Sequence, residues 1–406
     1  MLAPTIPKLL PVNRIARKCT TLFDHNQLCV DDSSTVSRPP AAARKEWGLL
    51  SLLLSYFFLK GAFASGVVPA LEVWQPGSAA GAFFLYFCGV IGGQSLVAFV
   101  ARVSRTPLSN LVAELLFGGS LVLIGLTGPA FPTALTAGRL MEGIGSGMGL
   151  PLMFGAAMRL RVFERPERSA LALNAVFGAG FLTGPLLSPN ALVHLSPTAF
   201  IAGAGVVFLC LSSLVFPLLW PVLSRPQAFG NDEAAVSSRT ISLEIVVTLA
   251  TAKAIYGFLM PALGDVIAMK QVDITMTRAF IWLDVTFVCG QVLCGIALSR
   301  MNAVTTRRLL SVGLVIALLL FALTHSLLLG VLVALLQSAT LGWAAARLTK
   351  KPDSVQSFAQ HNVMTDPAMA LGAGLAHHPW MGLYGLAAIS VLPGIWQWGR
   401  TRNEES

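Results

Sequence analysis

A chain of 406 residues that is 55% hydrophobic and only 12% charged cannot be a water-soluble globule, which carries roughly twice that charged fraction. Its surplus apolar residues have to face lipid. The formal net charge of +9 reflects 28 lysines and arginines, whose placement follows membrane topology and excludes a nucleic-acid partner as the reason for it.

Residues 1–46 are polar, Pro-rich and basic, with no apolar run ahead of a cleavage site, and read as a flexible cytoplasmic tail. Twelve nearly charge-free stretches follow, each near the 20 residues that span a bilayer as helix: 48–71, 80–101, 110–130, 133–158, 169–189, 198–220, 240–263, 279–299, 309–325, 327–346, 356–376 and 380–399. Only Thr324 to Ser326 separates the ninth from the tenth, and the eleventh is the most polar. Residues 221–240 are rich in Pro, Ser and charge and read as a cytoplasmic linker between a first half, 47–220, and a second, 241–400; 401–406 form a short tail. Of the 28 basic residues, 23 lie in the tails or the even-to-odd connections, such as 159–168 and 347–351. Lysine and arginine collect on the cytoplasmic side, so both termini are expected there. Of the six cysteines, Cys19 and Cys29 precede the spans and four lie within them, with no disulfide or zinc spacing. His194, His325, His377 and His378 fall at or near outer connections and carry no metal expectation.

The chain repeats itself at an offset near 190 residues. "LKGAFASGVVPALE" (59–72) matches "AKAIYGFLMPALGD" (252–265), which pairs Lys60 with Lys253 in the first and seventh spans. "GQSLVAFVARVSR" (93–105) matches "GQVLCGIALSR" (290–300) and pairs Gln94 with Gln291. "SALALN" (169–174) matches "SFAQHN" (357–362) and pairs Asn174 with Asn362. The expected fold is therefore all-α and polytopic, with twelve transmembrane helices in two pseudo-symmetric six-helix halves and a substrate site between them.

Charge inside a span is costly, so each such residue needs a partner or a wet cavity. Glu114 and Glu244 lie toward cytoplasmic ends and are expected to snorkel or pair with loop arginines, and Asp284 to pair with Arg278. Arg139 and Glu142 stand three apart on one helix face. They form either a fixed pair or a proton-linked one. Asp366, beside Pro367 and near His361, is the second carboxylate candidate for proton coupling. Lys60 and Lys253 serve either as cationic anchors of an anionic substrate or as counter-ions of buried carboxylates, with Gln94, Gln291, Asn174 and Asn362 as polar substrate contacts.

The stretch 138–187 resembles the major facilitator superfamily. Arg139 and Gly143 are similar to its fourth-helix motif, "RPERSA" to its basic fourth-to-fifth loop, and Gly178, Gly180, Gly184 and Pro185 to the fifth-helix glycine–proline motif of exporters. Small residues there let helix backbones approach closely, as packing or as a gate. Two departures stand out: Lys60 occupies a place where multidrug:proton antiporters commonly have aspartate, and "ARVSRTPLSN" keeps Arg102 and Arg105 without an acid. The resemblance implies a secondary active transporter of the cytoplasmic membrane, acting as a monomer without cofactor or metal. It would export a small organic metabolite, siderophore-like or drug-like and anionic or carboxylate-bearing, by proton antiport and alternating access. An importer or exchanger of a small organic anion is the alternative, and a membrane-embedded enzyme or receptor the remaining class.

Overall fold

A computed structural model describes residues 40–76, 78–100, 107–160, 162, 166–224, 242–271, 273–324, 326–349 and 354–404. Twelve long α-helices account for nearly all of them: α1 Pro40–Trp74, α2 Ala79–Phe99, α3 Pro107–Thr127, α4 Pro132–Arg159, α5 Pro166–Leu192, α6 Pro197–Leu223, α7 Leu243–Met269, α8 Met276–Arg300, α9 Ala303–Leu323, α10 Leu327–Leu348, α11 Ser354–Leu375 and α12 Pro379–Glu404. The helix starts are written locally. Six begin at a proline, whose fixed φ and missing N–H suit the first helical position. Elsewhere a side chain caps the first turn: Ser242 accepts from the Ile245 amide, Thr275 from Arg278 and Asn302 from Thr305. Gly128, at φ +57°, takes the left-handed turn between α3 and α4 that another residue would resist.

Each expected span has its helix, with shifted ends. α9 starts at Ala303, six residues before its expected boundary of 309, because the Asn302 cap draws Arg307 and Arg308 into its first turns. α1 takes in residues 40–46 of the expected tail, and α12 runs on through 401–404. The rest of the tail, most of the linker, Arg102 and Arg105 lie outside the described residues.

Nine helices are long and apolar enough to cross a membrane among the described residues. Of the three others, α4 and α11 carry polar groups of the interior, and α12 has a shorter apolar stretch, Pro379–Val391. Leu115 and Leu126 on α3, Leu214 and Leu218 on α6, and Leu309, Ile316 and Leu323 on α9 are exposed, as side chains that meet lipid must be.

Helix packing repeats between halves. α2 packs on α4 as α8 does on α10, α3 on α4 and α6 as α9 does on α10 and α12. Across the halves, α2 meets α11 as α8 meets α5, and α4 meets α11 as α10 meets α5. Small residues bring these backbones together. A Cβ on Gly180 would fall 2.1 Å from the Phe58 carbonyl oxygen of α1, and one on Gly257 of α7 would fall 2.1 Å from the Met369 carbonyl oxygen of α11. Gly184 sits in the same way against Ala62 and Ser65. Gly180 and Gly184 therefore pack α5 onto α1, and Pro185, next to Gly184, leaves one helical hydrogen bond unmade there.

Candidate functional site

Between the halves, from mid-bundle toward the end where α7 and α11 begin, lies a cavity with about 880 Å³ of empty space, its mouth included. α2, α4 and α5 form one wall and α7, α8, α10 and α11 the other. Away from that end it is roofed by a run of rings from one half to the other: Tyr86 to Phe181 at 6.1 Å, Phe181 to Tyr256 at 6.2 Å and Tyr256 to Phe287 at 5.9 Å. Toward it Phe358 of α11 stacks on Phe154 of α4 at 4.4 Å, and Gln356 donates to the Ala98 carbonyl of α2 at 2.8 Å. Beyond the roof Thr183 of α5 donates to Asp284 of α8 at 2.9 Å. Contacts between the halves thus lie on both sides of the cavity.

One ion pair stands in its wall. Lys253, near the middle of α7, reaches across to α11, where its ammonium donates to Asp366 Oδ1 and, at 2.6 Å, to Asn362 Oδ1. All three residues are buried and all three line the cavity. Among the described residues no donor bonds Asp366 Oδ2 within ordinary hydrogen-bond geometry, while Gln94 of α2 lies beside the same carboxylate. Asn174 adds a carboxamide from α5. His361 is occupied elsewhere: its Nδ1 faces the Ser357 carbonyl oxygen and its Nε2 accepts from the Ser242 amide at the start of α7.

The structure brings together Lys253, Asp366, Asn362, Asn174, Gln94 and Gly178 of the sequence candidates, and leaves the others off the cavity. Lys60 is the clearest departure. Its ammonium lies 2.9 Å from both oxygens of Glu114 on α3, each residue 1% exposed, under the rings of Phe117 and Phe208. Tyr56 donates to the same carboxylate at 2.7 Å and contacts Ser212 of α6 at 2.6 Å. The reason is helical phase. Lys60 precedes Pro69 by nine residues and Lys253 precedes Pro261 by eight, and one residue turns a side chain by about 100°. Gly61 is the positional match of Lys253 and faces α5; Ala252 matches Lys60 and faces α10, whose Gln337 donates to its carbonyl. Glu114 is correspondingly no snorkelling residue.

Arg139 and Glu142 are fully buried on α4, bonded at 2.5 Å, with the guanidinium over the Tyr86 ring. Among the described residues Arg139 Nη2 and Glu142 Oε1 have no hydrogen-bond partner. They stand behind Tyr86, which lines the cavity and donates to Ser146. Gln291 points to Ser338 of α10, Glu244 pairs with Arg307, and Asp284 meets Thr183 in place of Arg278. The aromatic lining was missed; its signals were Phe177 and Phe181 one turn apart on α5 and the cluster "FFLYF" on α2. Among the described residues no three metal-ligating side chains converge, and Cys88, Cys210, Cys289 and Cys294 are unpaired.

Two six-helix halves around a buried, ion-paired cavity, with an apolar exterior, define a multi-pass helical membrane protein. Its fold is that of the major facilitator superfamily. The chain is similar in structure to the human organic anion transporter MFSD10 (15% identity, TM-score 0.59, covering 88% of this chain and 99% of that one). It is also similar to a bacterial homologue of the iron transporter ferroportin in the outward-facing state (16%, 0.63, 87% and 99%) and to the proton:xylose symporter XylE (12%, 0.63, 89% and 96%). No protein-family model and no curated sequence matches it.

Proposed function

We propose that this protein is a secondary active transporter of a small carboxylate-bearing organic solute, bound at Lys253 and passed across the membrane by alternating access. The observation that carries the reading is the Lys253–Asp366 pair in the cavity wall, with the carboxamides of Asn362 and Gln94 beside it. A ligand carboxylate is chemically equivalent to the one Lys253 already holds and competes with it. Asn362, Gln94 and Asn174 supply further donors for its orientation. Among the cargoes named for similar folds (organic anions, iron and xylose), a lone ammonium favours the first.

The sign of proton coupling follows from the same exchange. Once a substrate anion takes Lys253, Asp366 is buried without a counter-charge, at a cost of several kcal/mol. A proton removes that cost. Anion and proton therefore favour each other's binding, and by linkage the effect is reciprocal. An anionic cargo at this pair travels with its proton. Antiport requires competition between cargo and proton, which a cationic cargo displacing Lys253 would supply. Export is then the run of a solute abundant inside, and import the run driven by the proton gradient; the co-binding geometry gives the importer reading its support. The distribution of basic residues supports a cytoplasmic membrane location with both termini inside.

Titration calorimetry on the purified protein in nanodiscs tests this with acetate, succinate, benzoate and 2-naphthoate, each in two buffers of different ionisation enthalpy. The expected result is binding of at least one carboxylate with uptake of about one proton. Lys253→Met should abolish binding, and Asp366→Asn should abolish proton uptake while keeping binding. Counterflow of the bound carboxylate into proteoliposomes, above the leak into empty ones, then separates a transporter from a receptor or enzyme. No binding of any of the four, or proton release on binding, would overturn the reading.

A further inference from the structure

The two halves are not equally charged at their matched positions. Asn174 corresponds to Asn362, so Gly178 corresponds to Asp366, four residues further along each helix. Gly61 corresponds to Lys253. Where the second half places an ion pair, the first half places two glycines. Gly61 is filled by the backbone of α5, and Gly178 by the ring of Phe287, which closes onto it from α8. Lys60 of α1 and Arg139 of α4 are paired with Glu114 and Glu142 away from the cavity.

The cavity is consequently polar on one side. Among the described residues that line it, the charged ones are Lys253 and Asp366 on α7 and α11. The facing wall offers Phe87, Val90, Leu150, Phe177 and Phe181, relieved by the carboxamides of Gln94 and Asn174. A complementary ligand has one anionic head and an apolar body wide enough to lie among rings. A second anionic group would be buried without a cation. A polyol would leave most of its hydroxyls facing phenyl groups.

We infer that the substrate is a monocarboxylate on a flat, aromatic-sized body, with its head at Lys253 and Asn362 and its body against Phe87, Phe177 and Phe181. This rests on the carboxylate reading above and adds the number of charges and the nature of the rest of the molecule. Aromatic bodies meet such walls in offset or edge-on contact.

The test ranks affinities in nanodiscs for acetate, succinate, benzoate and 2-naphthoate, with neutral 2-naphthylmethanol as the head-group control. The expected order is 2-naphthoate above benzoate above acetate, with roughly a hundredfold between the ends from buried apolar area. Succinate should bind no better than acetate. Phe87→Ala should weaken 2-naphthoate about tenfold and leave acetate within twofold. Phe177→Leu, which preserves bulk, should weaken 2-naphthoate less and keeps the test open if the alanine variant misfolds. Acetate or succinate binding as tightly as 2-naphthoate would overturn this inference and leave the carboxylate reading standing. Naphthylmethanol binding as tightly as 2-naphthoate would overturn both.

Discussion

Lys60→Met separates a structural lysine from a substrate anchor. The Lys60 ammonium is held at 2.9 Å by both oxygens of Glu114, both residues are 1% exposed, and Tyr56, Ser212 and two phenyl rings complete the enclosure. Methionine keeps the stem and deletes the charge, leaving Glu114 buried with only the Tyr56 hydroxyl. Breaking a buried pair in this way costs about 3–5 kcal/mol. In a chain of this size that corresponds to a fall of roughly 4–6 °C in the melting temperature, followed by intrinsic fluorescence in detergent. Glu114→Leu alone should cost a similar amount by stranding the ammonium. The double variant, Lys60→Met with Glu114→Leu, replaces the pair by apolar groups and should recover more than half of the loss, because such replacement is often close to neutral. Carboxylate affinity should be the same in the double variant as in the parent protein. A Lys60→Met protein that melts normally and no longer binds carboxylates would refute the reasoning and return Lys60 to the binding site.

Two further outcomes follow from the packing. Glu142→Gln strands Arg139, whose other contacts are the Tyr86 ring and carbonyls at 3.4 and 3.5 Å, so stability should fall by about 3 kcal/mol while counterflow survives in the folded fraction; unchanged melting with lost gradient-driven transport would place Glu142 on the proton path instead. Gly180→Ala puts a methyl 2.1 Å from the Phe58 carbonyl oxygen and should destabilise by about 1–3 kcal/mol through separation of α1 from α5, read as a lower melting temperature.

Much of the architecture was legible because it is written in one-dimensional signals. Apolar length marks each span, prolines and Ser, Thr or Asn caps mark many of the starts, and the Pro-Ala-Leu, Gly-Gln and Asn repeats mark the two halves. Half of the polar site followed from the same repeats, since Gln94, Asn174, Asn362 and Lys253 are repeat positions that reach the cavity. What the repeats conceal is phase. Gln291 is the true match of Gln94, yet it turns to Ser338 on α10 because α10 supplies a hydroxyl and a carbonyl there. The partner of Lys60 was hidden for another reason. Glu114 lies near a helix end by counting, but the bundle continues past it, and α6 closes over it with Phe208 and Ser212.

The mismatch of Lys60 and Lys253 has a consequence for how the halves work together. Had the two lysines been in phase, the cavity would face an anion with two ammoniums and could hold a dianion with no carboxylate of its own involved. The one-residue difference removes the first ammonium into the α1–α3–α6 interior, where it pairs with Glu114, each side chain 1% exposed. The second remains at the cavity with Asp366, on helices α7 and α11 of the same half. On the proposed function, the exchange between substrate and Asp366 would be completed within one half, with Gln94, Asn174 and the aromatic wall supplied by the other. Rocking of the halves would then alter access and enclosure of the ligand without breaking the pair itself. A cross-link that locks α2 to α11, where Gln356 meets the Ala98 carbonyl, should therefore stop counterflow yet leave proton-linked binding intact. Loss of calorimetric binding in the locked protein, with restoration on reduction, would instead show that Lys253 and Asp366 need the moving interface to exchange partners.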